Sequence, residues 1–207
     1  MMDDLLASWR DLVGAEAAGR ELLARWSEPH RRYHDVDHLR SVLVAIDELA
    51  HEARGITAVR LAAWFHDAVY AGQAGGDERA SAALAASMLP ALGVDAEQIA
   101  EVVRLVELTA AHHPAPNDAN GAVLCDADLS VLAGDPAEYA TYAAAVRDEY
   151  GDVPEAEFRS GRIAVLERLL DHRPLYQTAT GRDRWEEAAR RNIETELTLL
   201  RAGASAS

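Results

Sequence analysis

The chain has a single cysteine, Cys125, so no intrachain disulfide can staple it. No apolar run approaches the length of a membrane span. The opening stretch MMDDLLASWRDL is acidic and amphipathic, without the basic start and greasy centre of a secretion signal. Sustained apolar–polar alternation, the mark of half-buried strands, is missing, and so are repeats at solenoid periods. Positive charge is scarce: 20 Lys and Arg stand against 35 Asp and Glu, a formal net charge of -15. A surface that acidic repels nucleic acid and anionic membrane. Neither is expected as a partner, and an anionic substrate would need a local cation, from arginines or a metal. Together these absences lead to the expectation of a cytoplasmic protein.

Ala and Leu dominate the remainder, which leans the chain towards helix. With 207 residues, 49% of them hydrophobic, it can bury one sizeable core, and no composition shift divides it. Apolar residues recur at helical spacing almost throughout. Leu5, Leu6, Trp9, Leu12 and Val13 mark a first helix. Leu22, Leu23 and Trp26 mark a second that must end near Pro29. Leu39, Val42, Leu43, Ile46 and Leu49 share one face of a third, capped near Asp35 and broken by Gly55. A fourth is expected over residues 57–70, followed by the flexible AGQAGGD loop. Asp77 reads as the N-cap of a fifth helix and Asp95 of a sixth. The segment VLCDADLSVLAG reads as helical, and further helices are expected over residues 136–150, 154–170 and 182–201. The fold class is therefore all-α: a single-domain helical bundle over residues 1–201, with a disordered tail at 202–207.

Three features carry chemistry. His34 and His38 are four apart and share a helical face; the simpler alternative is two surface histidines at a helix start. His66 and Asp67 sit side by side in AAWFHDAVYAG, where everything around them looks like core. Burying an ionised carboxylate costs several kcal/mol unless it is paired or bound to a cation. Imidazole nitrogen and carboxylate oxygen form a ligand set for a divalent transition metal. The alternative is a buried histidine bonded to a carbonyl, with Asp67 capping the loop that follows. Asp128, in the apolar stretch VLCDADLSVL, shares a face with Leu124 and Leu132 and again asks for a cation. Asp126 points about 200° away on a helix and reads as a cap. His51 and His172 have no such context, and Cys125 reads as a small buried hydrophobe.

The ordered set of an early His, a His-Asp pair and a late Asp on a helical chain resembles the HD superfamily of metal-dependent phosphohydrolases. The phrases PHRRYHDVDHL, WFHDAVY, DERASA, LTAAHH, CDADLSVL, VRDEY, GRIAVLERLL and AARRNIETEL are similar to a subgroup of small bacterial HD proteins, over residues 29–197. The resemblance implies that His38, His66, Asp67 and Asp128 hold one divalent metal (Mn, Fe, Co, Ni or Zn, with Mg as an option). It implies hydrolysis of a small phosphate ester or anhydride, such as a nucleotide, by a metal-activated water. Asp67 and Glu78 are then the candidate catalytic residues. Many two-metal members carry a histidine where this chain has Glu78; Glu78 could instead act as general acid or base, or only favour the helix dipole. His34, His112 and His113 are candidates for a second metal or for substrate contact. Arg31, Arg32, Arg147 and Arg162 are candidates for phosphate binding, against the default of salt-bridged surface residues. Tyr33 and Tyr70 read as core or as lining of the same site. Two further functions stay open: a di-iron HD-type oxygenase, which needs more histidines, and a non-catalytic domain that binds a nucleotide or phosphate. The amphipathic helix after Pro174 could pack on its own core or in a homodimer.

Overall fold

Leu5, Leu6 and Trp9, three to four residues apart, become the buried face of the first helix, α1 (Met2–Val13), in a computed structural model that describes residues 2–73 and 75–204. α2 (Glu16–Trp26) crosses it at close range, burying Leu22, Leu23 and Trp26. The approach needs Gly19: a Cβ there would lie 2.5 Å from Trp9 Cδ1. Asp35 caps α3 (Val36–Leu49) by accepting the backbone N–H groups of Asp37 and His38, and the expected face from Leu39 to Leu49 is buried. A short 3-10 turn, Ala50–Glu52, leads to α4 (Ile56–Phe65).

α4 is apolar on nearly every side, and a helix of that kind belongs in the middle. It packs against α3, α5 (Asp77–Met88), α6 (Ala96–Leu108) and α7 (Ala119–Asp128). It stops at Phe65, five residues short of the expected end at Tyr70. The carbonyls of Asp67 and Ala68 are taken by the Arg31 guanidinium, and Ala68 N closes a tight turn on Phe65 O. Asp77 is the first residue of α5, not its cap. Its buried carboxylate accepts the N–H groups of Ala71 and Gln73 and pins the loop before it.

The 3-10 segment Leu129–Ala133 carries the chain to α8 (Pro136–Glu149), opened by an Asp135/Glu138 capping box, and then to α9 (Glu155–Asp171). The helix expected over residues 182–201 is two: α10 (Ala179–Arg184), capped by Thr178, and α11 (Glu186–Ala204). α11 takes up residues 202–204 of the expected tail; residues 205–207 lie outside the described part. Its apolar stripe, Ala189, Ile193 and Leu197, is buried against α9 and the 129–133 segment, so the helix packs on its own chain. Two apolar clusters result, one from α1 to α7 and one from the C-terminal elements, and Trp185 touches both. Among the described residues no strand occurs, and no helix is long and apolar enough to cross a membrane. The all-helical bundle expected from apolar spacing is what forms.

Candidate metal centre

Three helix ends meet at one point. The Asp35 cap starts α3 so that His38, in its first turn, faces inward. His66 follows α4 directly, and its backbone N–H still bonds Ala62 O at 2.8 Å. Asp67 is next, and Asp128 closes α7. Both His38 and His66 are buried, with the Trp26 ring 6.2 Å and 5.3 Å from theirs.

His66 Nδ1 lies 2.7 Å from Ala63 O. A carbonyl only accepts, so Nδ1 carries the proton and Nε2 of the neutral ring presents a bare lone pair. That nitrogen faces His38 Nε2 at 3.3 Å, Asp67 Oδ2 at 3.3 Å and Asp128 Oδ1 at 3.5 Å. His38 Nε2 lies 3.1 Å from Asp128 Oδ1 and 3.9 Å from Asp67 Oδ2. With bonds of about 2.1 Å, donors sharing one tetrahedral or octahedral ion sit about 3.0–3.4 Å apart. The donor types suit a divalent ion, and the spacings lie near that range, with His38 to Asp67 the widest: buried His38 and His66 and half-buried Asp67 form a cluster that could hold one.

The electrostatics point the same way. Burial pulls the His66 pKa down, but the charges of Asp67 and Asp128 outweigh it and raise it to about 9. Burial lowers the His38 pKa, with the Asp128 bond only partly offsetting it. Burial opposes ionisation of Asp128, yet His66, His112 and His38 hold its carboxyl well below the usual range. The cluster thus asks for positive charge at its centre, a proton on His66 or a metal ion in its place.

Beside the cluster lies a small polar chamber of about 160 Å³, lined among others by His34, Asp67, Tyr70, Glu78, His112 and Asp128. Glu78 Oε2 is buried there with no hydrogen-bond partner among the described residues. His112 Nε2 binds Asp128 Oδ2 at 2.7 Å, so one carboxylate faces the cluster with one oxygen and His112 with the other. His112 reaches this position from a left-handed backbone conformation, φ 48°, an uncommon state for a non-glycine residue and one that recurs at functional sites. His34 is fixed by Glu149, whose Oε2 also accepts the N–H groups of Arg32, Tyr33 and His34.

The other candidates find partners of their own. Arg31 has no N–H group left over for a phosphate. Its side chain is buried, and its five N–H groups go to Glu28 and to the carbonyls of His34, Asp67 and Ala68. Arg147 bonds Glu155 and the carbonyls of Tyr150 and Val153, and closes the turn between α8 and α9. Arg162 donates to both carboxylate oxygens of Glu196 and to the Tyr142 hydroxyl. Arg32 is exposed, bonded to the carbonyls of Pro29 and Arg31. His113 is exposed and turns towards the His172 ring, centroids 5.0 Å apart, so it does not join His112. Asp126 caps nothing in its own helix; buried, it accepts the N–H groups of Gln177 and Thr178 and the Thr178 hydroxyl. Cys125 is buried, as a small hydrophobe would be. The residue missed from sequence is Glu149. Its only advance signal is an acid at the end of VRDEY, and nothing local says that three N–H groups from the 32–34 loop will converge on it.

No family model matches this chain, and searches among curated proteins and solved structures return no match.

Proposed function

We propose that this chain is a one-metal phosphohydrolase of the HD type, acting on a small phosphate ester or anhydride. The observation that carries the reading is the cluster of His38, His66 and Asp67, with Asp128 Oδ1 3.1 Å and 3.5 Å from the two imidazole nitrogens, beside a chamber with room for a small headgroup.

In this reading His38, His66, Asp67 and Asp128 hold one divalent ion of the Mn, Fe, Co, Ni or Zn group. When bound, the ion would neutralise the two carboxylates, polarise a phosphoryl oxygen and acidify water. The protein groups do the rest. The Trp26 wall and the buried histidines keep bulk water from the back of the cluster. His112 holds the Asp128 carboxylate in one orientation. His34 stands at the chamber wall with Nδ1 bonded to Glu149; burial lowers its pKa, but the Glu149 bond and the Asp67 charge raise it overall. Glu78 Oε2, free of other bonds, takes a proton from the attacking water or returns one to the leaving oxygen.

His112 is engaged with Asp128, and His113 faces His172. That leaves Glu78 as the unengaged candidate for a second ion and favours the one-metal reading over a di-iron oxygenase. The test is metal content together with turnover of a phosphomonoester and nucleotide panel under Mn, Co, Ni, Mg or Zn. About one ion per chain is expected, with turnover that Asp67→Ala abolishes along with the metal. No turnover by the loaded protein, with full metal content in Asp67→Ala, would overturn the proposal. Ligand-induced thermal shifts without product would point to a non-catalytic phosphate-binding domain.

A further inference from the structure

A second, larger cavity opens from the same site. Its volume is about 480 Å³, within the range of small-molecule sites. α8 contributes Tyr142 and Val146, α9 contributes Phe158 and Val165, and the 3-10 segment contributes Val131. His34, His112, Asp128 and Tyr150 line both this cleft and the polar chamber, so the two spaces share a wall. Val165 is one of the few large apolar side chains left exposed, at 39%. Arg162, which also lines the cleft, has its charge met by Glu196 and offers no free cation.

One backbone position stands out. Gly161 lies inside α9, where glycine costs about 1 kcal/mol relative to alanine. Its φ is not left-handed, and a Cβ there would meet nothing within 4 Å. Neither strain nor close approach calls for glycine. What its missing side chain leaves is space in the cleft wall.

We propose that the cleft between α8 and α9 receives the apolar body of the substrate, an alkyl or aryl phosphate, while its phosphoryl group enters the polar chamber at Asp67 and Asp128. The proposal rests on the phosphohydrolase reading for the headgroup and on the cleft for the body. Between its polar ends the lining is mainly apolar, with Val131, Leu132, Val146, Val153, Phe158 and Val165, so a sugar or nucleoside would set many of its hydroxyl and amide groups against hydrocarbon, and a buried polar group without a partner is costly. An alkyl or aryl body loses nothing there and gains by leaving water.

The experiment titrates n-alkylphosphonates, from methyl to octyl, into the metal-loaded protein and reads affinity by calorimetry. These probes are not hydrolysed, so binding is separated from turnover. Affinity should rise about fourfold per methylene until the chain fills the cleft. Gly161→Leu should weaken hexylphosphonate about tenfold or more and leave methylphosphonate within about twofold. Val165→Phe narrows the cleft from a second position and should act the same way. A flat series, or a variant that weakens short and long probes equally, overturns the proposal. So does a Gly161→Leu variant that turns a dimer into a monomer in sedimentation, which would make the cleft an interface between copies. The matching alkyl phosphates are assayed in parallel. Chain-length-dependent binding with no ester cleaved sinks the hydrolase and keeps the cleft, whereas cleavage with no chain-length dependence does the reverse.

Discussion

Glu149 and His34, 115 residues apart in sequence, are joined twice: the His34 ring bonds one carboxylate oxygen and the His34 backbone N–H bonds the other. The Glu149 side chain is 2% exposed. Burial alone would raise its pKa, but the His34 bond and charge, with the Arg32 and Tyr33 N–H groups, hold it well below 4.5. A depressed carboxylate stabilises the fold above its unfolded pKa, and that contribution is lost as pH falls through the folded value. The His34 pKa is raised above 6.5, so its share is complete below 6.5 and is lost as pH rises through the folded pKa. The pair should therefore be strongest between about pH 4.5 and 6.5. Glu149→Gln should cost about 3 kcal/mol near pH 6, with the gap to the parent protein narrowing on both sides. Urea midpoints against pH, on chelated protein, measure it, and a gap independent of pH would contradict the assignment.

Arg31 ties the loop before α3 to the turn after α4 through three carbonyls. Lysine cannot reproduce that fork, having three donors on one atom. Arg31→Lys should therefore lower stability by about 2 kcal/mol and loosen the metal, because Asp67 loses its backbone anchor. Chemical denaturation and a metal titration check the two halves. Unchanged stability with weaker phosphate binding alone would return Arg31 to the role of a ligand.

Adjacent histidines should behave differently. His112→Ala removes the partner of Asp128 Oδ2 and should weaken metal binding about 10- to 100-fold. His113→Ala should leave metal affinity unchanged, because that ring packs on His172. Competition with a chelating dye separates the two, and equal effects would place both rings at the ion.

Gly161→Ala should stabilise the protein by about 0.5–1 kcal/mol, since its backbone is compatible with alanine and the space is open. For a chain of this size that is about 1–4 °C in Tm. A scanning calorimetry trace showing a fall would mean that the α9 wall is tighter than the structure has it.

The fold was legible where a pattern is local. The buried face of α3 follows from five apolar residues at helical spacing, and the Asp35 and Asp95 caps follow from side-chain chemistry one turn away. Part of the centre was legible for a related reason: His66, Asp67 and Asp128 are polar groups in apolar surroundings, and that mismatch can be read along the chain. The end of α4 was not, because Ala68 and Val69 continue the apolar run while the carbonyls that stop it answer to Arg31. The partners of the arginines were not legible either, for the same physical reason. A guanidinium is claimed by whichever acceptors folding brings to it, and Glu196 lies 34 residues from Arg162. Asp126 and Asp128 show both cases within one turn, the second assigned to the site from its face and the first misread because its partners lie past residue 175.

Those two aspartates give the last turn of α7 a double attachment. Asp126 grips the backbone at residues 177–178, and Asp128 faces the imidazoles. The C-terminal third of the chain is therefore no detachable module. Trimming it, or grafting the first seven helices onto another scaffold, would unmoor from behind the turn whose Asp128 faces the two imidazoles, although none of the residues removed belongs to the cluster itself.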